Sequence, residues 1–170
     1  MEQVPREATD ISEVWVTSGT GTGRSQLTAF DAALADAGLH NANLVSVSSI
    51  TPAKASRHTA DDPADLAKRI TPGAVVPVVY AHAESRERDK APYAAVAGVR
   101  LADGYGINVE AHGTDGDREE VTDQCESMLA EMARTRGDAF DSSMWVRYES
   151  ANPPEEEDTW RSAVAALVYQ

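Results

Sequence analysis

The chain has 170 residues and a formal net charge of -13, because 28 aspartates and glutamates outnumber 15 lysines and arginines. A chain of this length forms one ordinary domain, and we treat residues 1–170 as a single domain. The acidic balance disfavours binding to nucleic-acid phosphates or to anionic membrane surfaces. No apolar run approaches the roughly 20 residues of a membrane span, and the first residues lack the features of a signal peptide.

Cysteine and lysine usage indicate the compartment and the habitat. Cys125 is the only cysteine, so neither an internal disulfide nor a thiolate metal cage can form. Lysine occurs only at Lys54, Lys68 and Lys90. Abundant acids with scarce lysine are typical of cytoplasmic proteins from salt-accumulating organisms, where a Debye length of about 3 Å screens crowded carboxylates. We therefore predict a cytoplasmic protein from a halophile, the alternative being an ordinary acidic mesophilic protein.

The first elements are a strand, a turn and a helix. Residues 13–17 predict a strand, and Ser18–Arg24 predicts a tight glycine-rich turn, since it lacks the Gly-Lys-Ser/Thr ending of a phosphate loop. A helix is predicted over Gln26–Ala37, with Gly38 as its stop. Its apolar positions recur at a spacing of three and four residues: Leu27, Phe30, Leu34 and Ala37.

The rest of the chain predicts several strands, mostly joined by hairpins, and a second main helix, and this order of elements indicates an α+β layered domain. A proline in the strand at 74–80 implies an edge or a bulge there. The segments in order are a β-rich stretch at 44–50, a helix start at 61–63, a strand at 74–80, a charged loop at 84–90, hairpin arms at 93–101 and 105–112, a helix at 115–136 with a buried thiol at 125, a strand at 144–149, a solvated acidic loop at 155–158, and a last strand or short helix at 160–169.

Few side chains suggest chemistry on their own. The four histidines have no metal-ligand spacing, so we predict no metal site. Alternation on the strand at 107–112 puts Asn108, Glu110 and His112 on one face, which by itself favours a solvent-facing surface. Asp31 lies at the margin of the apolar stripe of its helix, where it is either a surface charge or the lip of a pocket.

The segment at 41–52 carries a specific pattern. An Asn-Leu-Val stretch is followed by the pair Ser48-Ser49 and then by Ile-x-Pro. This pattern resembles the self-cleavage site of the pyruvoyl-dependent arginine decarboxylases, and with the composition it indicates a halophilic archaeon. The resemblance extends through the helix at 27–38, the Val-Pro pair at 76–77, the strand at 106–110, the long helix and the chain end at 165–169.

The resemblance implies that the chain makes its own cofactor. Ser49 would attack the carbonyl of Ser48 and, after elimination and hydrolysis, become a pyruvoyl group, while Asn43 would polarise the attacked carbonyl. Cleavage would give a β chain of residues 1–48 and an α chain of residues 49–170. The fold implied is a four-layer αββα sandwich, assembled as a homotrimer of cleaved protomers with active sites between subunits.

The resemblance also assigns the substrate and its contacts. Glu110 would be the proton donor, Asp31 would receive the guanidinium group, and Leu34 would form an apolar wall for the aliphatic stem. The reaction implied is decarboxylation of L-arginine to agmatine, which feeds polyamine synthesis, with no metal involved. Two alternatives remain: a pyruvoyl decarboxylase for another amino acid, and a non-catalytic paralogue that binds a cationic ligand or regulates an active enzyme.

Overall fold

The computed structural model describes residues 11–152 and 158–170. These residues form an α+β structure in which no helix is long and apolar enough to cross a membrane. Of the predicted acidic loop at 155–158 only Asp158 falls within them, and it is exposed. The elements are β1 (Glu13–Gly23), α1 (Gln26–Asp36), β2 (Asn43–Ser46), β3 (Ile50–Thr51), β4 (Ser56–Thr59), α2 (Pro63–Arg69), β5 (Val75–Ser85), β6 (Pro92–Arg100), β7 (Gly106–Thr114), α3 (Arg118–Arg136), β8 (Trp145–Ser150) and β9 (Trp160–Tyr169).

Two sheets form the centre of the molecule. One has the strand order β2-β5-β9-β1-β4 and the other has the order β3-β7-β6-β8. Small and β-branched side chains such as Val16, Val79, Val96 and Ala165 fill the core between them. Helices α1 and α2 adjoin a second core on the outer face of the first sheet, and α3 covers the outer face of the second sheet. This order of layers is compatible with the predicted four-layer sandwich.

The predicted glycine-rich turn is wrong, because this segment is the second half of β1. Strand β1 stays paired with β9 as far as Gly23, opposite Trp160. The glycines let α1 lie close to the strand: a Cβ at Gly21 would come within 2.2 Å of the backbone nitrogen of Ala33. The turn itself is confined to Arg24 and the helix N-cap, Ser25.

The buried face of α1 also differs from the predicted apolar stripe. Ala29, Ala33 and the C-cap Ala37 are buried, whereas Leu27 is 74% exposed. Only small side chains fit against the glycine-lined strand, so the alanine face meets the sheet and the larger residues are displaced to its margin. Leu34 lies at that margin, partly buried against the second core.

Most of the remaining elements agree with the sequence prediction. Asp62 caps α2, β6 and β7 form the predicted hairpin, and the last segment is a strand. Cys125 is fully buried on α3. Pro77 lies in the part of β5 that pairs only with β2, since pairing with β9 begins at Val78. The predicted loop at 84–90 starts too early, because β5 continues to Ser85.

Candidate active site

The Ser48-Ser49 peptide lies where the chain crosses from one sheet to the other. The parallel ladder of β2 with β5 ends where the N–H of Val47 donates a hydrogen bond of 3.0 Å to the carbonyl oxygen of Val78. Ile50 then pairs with Ile107 in the second sheet. Between them, Ser49 has a φ of +41°, in the left-handed region that non-glycine residues rarely adopt. Its N–H donates to the Val47 carbonyl at 2.9 Å, so the predicted cleavage site is a tight turn.

Asn108 on β7 holds the carbonyl oxygen of Ser49 with two donors. The backbone N–H of Asn108 donates at 2.9 Å, and its side-chain Nδ2 donates at 3.1 Å. The same Nδ2 lies 2.9 Å from Thr51 Oγ1 and 3.2 Å from the Tyr169 hydroxyl. Asn108 is only 3% exposed, and Thr51 and Tyr169 are also buried. The desolvation of Tyr169 raises the pKa of its hydroxyl, which therefore stays protonated at neutral pH.

A glycine opposite Asn108 makes room for its side chain. Gly98 is the partner of Asn108 in the β6–β7 ladder, and a Cβ at Gly98 would come within 2.4 Å of Asn108 Oδ1. The alternation pattern places Asn108 on the same face as Glu110, but it does not reveal that the face is buried at this position. Solvent exposure is therefore the wrong expectation for Asn108, although Glu110 and His112 are exposed as expected.

Glu110 lies in a groove between the open edges of the two sheets. Within the described strands, β5 pairs with β2 only as far as Val78, and β7 pairs with β3 only as far as Ile107. Beyond these points both strands leave one edge free. The groove has a volume of about 570 Å³, and the side chains that matter for its chemistry are Ser46, Tyr80, His82, Glu84, Glu110 and His112.

The environment of Glu110 suits a proton donor. Its side chain reaches solvent, yet the surrounding atoms desolvate the carboxyl group and raise its pKa, an effect that the charge of His112 only partly opposes. A carboxyl group with a raised pKa keeps its proton closer to neutral pH. Glu110 can therefore donate a proton to a reacting atom in the groove.

A second carboxylate, Glu84, is fixed in the wall of the groove. Its side chain is 7% exposed and accepts hydrogen bonds from His82 Nδ1 at 2.7 Å and Gln26 Nε2 at 3.2 Å. Burial alone would raise the pKa of Glu84, but the hydrogen bonds and charge of its partners, His82 above all, lower it. The hydrogen bond to Glu84 raises the pKa of His82 in turn. The ring of His82 also packs against Phe30 of α1, with centroids 4.6 Å apart.

Two other predicted site residues, Asp31 and Asn43, lie on other elements, and neither donates a hydrogen bond to the Ser48 carbonyl. Asp31 is exposed on α1, directly after Phe30. Asn43 is exposed at the start of β2, and its Nδ2 donates to the carbonyl of Gly73 at 2.8 Å. Among the described residues, no group of three or more histidines, cysteines or acids is arranged to hold a metal ion.

Comparisons with known proteins identify the family of the chain. Residues 13–170 match the family model of pyruvoyl-dependent arginine decarboxylase. The chain is similar to the pyruvoyl-dependent arginine decarboxylase of Methanopyrus kandleri, with 38% identity over 152 residues that cover 89% of this chain and 92% of the relative. It is also similar to the pyruvoyl-dependent arginine decarboxylase of Methanothermobacter thermautotrophicus, with 36% identity over 127 residues that cover 75% of this chain and 79% of the relative. The chain therefore belongs to the pyruvoyl-dependent arginine decarboxylase family.

Proposed function

We propose that the protein is a self-processing carboxy-lyase that converts L-arginine to agmatine and carbon dioxide, as a supply for polyamine synthesis. One observation carries the proposal: the Ser48-Ser49 peptide forms a left-handed turn whose carbonyl at residue 49 is held by two donors. The family match over residues 13–170 supports arginine as the substrate. The buried thiol of Cys125 and the acid-rich, lysine-poor composition support a cytoplasmic location in a halophile.

Cleavage proceeds through the side chain of Ser49. Its Oγ adds to the carbonyl carbon of Ser48, the C–N bond breaks, the hydroxyl proton passes to the freed amine, and an ester replaces the amide. The resemblance assigns polarisation of the attacked carbonyl to Asn43, whose amide must then leave the carbonyl of Gly73. Loss of the Cα proton of residue 49 to water then expels the Ser48 carboxylate. Residue 49 becomes dehydroalanine, which takes up water and releases ammonia to leave a ketone. The products are residues 1–48 and residues 49–170.

The surroundings of residue 49 fit a small keto group held by the chain itself. The backbone of residue 49 would carry the group, and the two hydrogen bonds from Asn108 would fix the adjoining carbonyl. Glu110 and Ser46 line the groove that opens beside the crossing segment. A pyruvoyl group supplies an electron sink for the bond to the departing carboxylate. The chain supplies orientation and the proton that Glu110 holds.

Charge and shape around the groove suit arginine. Asp31 is proposed to receive the guanidinium group, since a planar fork of donors pairs well with a carboxylate. Leu34 is proposed as the apolar wall for the aliphatic stem. Glu84 adds a fixed negative charge on the groove wall, which favours a cationic ligand over an anionic one.

The surface around the cleavage segment supports a homotrimer with active sites between subunits. Strand β2 lies at the edge of its sheet, and edges of this kind pair with other chains unless they are covered. Three valines are exposed at this edge: Val45 in β2, Val47 directly after it, and Val75, which pairs with the first residue of β2. Exposed apolar side chains at an open strand edge favour an interaction site, and we propose a second copy of the chain as the partner.

Carbon dioxide release from arginine, ornithine, lysine and histidine tests the substrate. We expect a clear preference for arginine. Asp31→Ala should raise KM for arginine by about 10- to 100-fold, because a charge-assisted hydrogen bond is lost, and should leave self-cleavage intact. Asp123→Ala on the exposed face of α3 is the matched control. Equal turnover of all four amino acids would favour a decarboxylase of another specificity, and arginine binding without any turnover would favour a non-catalytic paralogue.

A further inference from the structure

The contacts of the Ser49 carbonyl oxygen are built before any cleavage takes place. Two N–H groups of Asn108 converge on this one oxygen, at 2.9 Å from the backbone and 3.1 Å from the side chain. The side-chain nitrogen of Asn108 also lies within hydrogen-bond distance of Thr51 Oγ1 and of the Tyr169 hydroxyl oxygen. Asn108, Thr51 and Tyr169 are all buried. Gly98 leaves the space that the Asn108 side chain fills. This oxygen belongs to residue 49 and not to the carbonyl of Ser48 that is attacked.

The chemistry of the elimination step explains why that oxygen needs donors. When the Cα–H bond of residue 49 breaks, its electron pair delocalises onto the adjacent carbonyl, and negative charge develops on the oxygen of residue 49. The electrons then return to form the Cα–Cβ double bond as the Cβ–O bond to the Ser48 carboxylate breaks. Hydrogen-bond donors aimed in advance at the atom where charge develops lower the barrier most when the site excludes water.

The geometry points to Asn108 as a catalytic residue of self-cleavage, whose backbone and side-chain N–H groups stabilise the enolate formed at residue 49 during elimination. Thr51 and Tyr169 are positioning residues that orient its amide. This inference rests on the proposed self-cleavage and deepens it. Ester formation places negative charge on the carbonyl oxygen of Ser48, a step for which the resemblance implies Asn43. Elimination places negative charge on the carbonyl oxygen of residue 49, and Asn108 serves this carbonyl in ester breakdown.

The two steps can be separated with hydroxylamine and intact-mass analysis of the freshly purified full chain. Hydroxylamine attacks an ester under mild conditions that leave amides intact, giving a hydroxamate on Ser48 and a serine amino terminus on residue 49. In Asn108→Leu, a variant of similar shape without donors, we expect spontaneous cleavage to slow by about 100-fold. The uncut chain that accumulates should be split by hydroxylamine. Ser49→Ala, which cannot form an ester, should resist it, and Gln124→Leu on exposed α3 should cleave at the normal rate.

A pair of variants at Thr51 keeps the inference testable if Asn108→Leu does not fold. Thr51→Val keeps the shape but lacks the hydroxyl group, so it should accumulate the hydroxylamine-sensitive chain, and Thr51→Ser should restore cleavage. A merely structural role predicts instead that cleavage follows the melting temperature of each variant.

Three results would decide against the inference or its basis. Cleavage of a folded Asn108→Leu chain at the wild-type rate would overturn the role of Asn108. A folded, uncut Asn108→Leu chain that resists hydroxylamine would also overturn it, because the block would then precede the ester. A wild-type chain that stays whole would instead overturn the proposed self-cleavage itself.

Discussion

Glu110 shows how a single residue gains a function from its surroundings. Its position on a strand, two residues after a buried asparagine, is visible in the sequence, but its pKa depends on atoms of several strands. Desolvation in the groove raises that pKa above the ordinary value for a glutamate, against the opposing charge of His112. Sequence alternation predicts which way the side chain points and does not predict whether the carboxyl group keeps its proton.

With Glu110 as the proposed proton donor, its raised pKa predicts how turnover depends on pH. The proton donor is active below its pKa and is lost as pH rises through it, so kcat should fall on the alkaline side of that value. Glu110→Gln should lower kcat by about 100-fold or more and remove this limb, while self-cleavage proceeds. Glu126→Gln on exposed α3 is the control. An unchanged kcat in Glu110→Gln would assign the proton donor elsewhere.

The raised pKa of Glu110 also affects the stability of the fold, because the ionised carboxyl group destabilises the folded state at alkaline pH. A carboxyl group whose folded pKa is raised favours the folded state only while it is protonated, and this contribution is lost as pH rises through the folded pKa. Glu110→Gln should therefore melt at a higher temperature than the wild type at pH 8 and at a similar temperature in acid. Calorimetry of both proteins across this range measures the difference, and a lower melting temperature for the variant at pH 8 would contradict the shift.

At the scale of elements, the packing of α1 on β1 depends on contacts between residues that are distant in sequence. Glycines near a strand end usually predict a turn. Here they continue a strand, because β9, well over a hundred residues away, pairs with them and α1 packs on them. Helix α1 was predictable from its periodicity and from the glycine at its end. The hairpin of β6 and β7 was predictable from its two strand-like arms. The buried face of α1 was not, because it is chosen by the shape of the strand beneath it.

This packing predicts a large cost for adding one methyl group to β1. In Gly21→Ala the new Cβ would lie 2.2 Å from the backbone nitrogen of Ala33, so α1 must shift away from the sheet. We expect destabilisation of about 1–3 kcal/mol, the usual range for overpacking. Thr22→Ala, at the exposed neighbouring position of the same strand, should change stability much less. Urea unfolding of both variants compares them, and equal midpoints would show that α1 does not depend on this contact.

At the scale of the whole molecule, the net charge of -13 and the site carboxylates have separate roles. Most acids lie on exposed positions, including the first turn and outer face of α3. They repel one another over a Debye length of about 10 Å in 0.1 M salt and about 3 Å in 1 M salt. Glu84 and Glu110 instead line the groove, where their proposed action on a ligand at contact distance would be screened little by salt. Composition predicts the first role, and only the fold reveals the second.

Salt should therefore stabilise the protein through its surface. We expect the melting temperature to rise steadily between 0.1 M and 2 M potassium chloride, because screening relieves the repulsion among exposed carboxylates. Replacing Glu126 and Glu131 of α3 by glutamine should weaken this dependence. A melting temperature that does not change with salt in the wild type would contradict a halophilic adaptation.

The sequence carries the cleavage motif, but the fold supplies its setting. The family could be predicted because the motif around the serine pair is local, and the roles of Glu110 and Asp31 stay predictions that the resemblance implies. The role of Asn108 could not be predicted, since it follows from the crossing of the chain between two sheets and from the space left by Gly98. The groove likewise arises from two strand edges that no local pattern brings together.

Intact-mass analysis of the purified protein under denaturing conditions tests self-cleavage most directly. Self-cleavage predicts two chains, residues 1–48 and residues 49–170, the larger one beginning with a ketone that borohydride reduces. Ser49→Ala, which lacks the attacking oxygen, should give one folded chain of 170 residues. A wild-type protein that is natively folded and remains a single uncut chain would contradict the account.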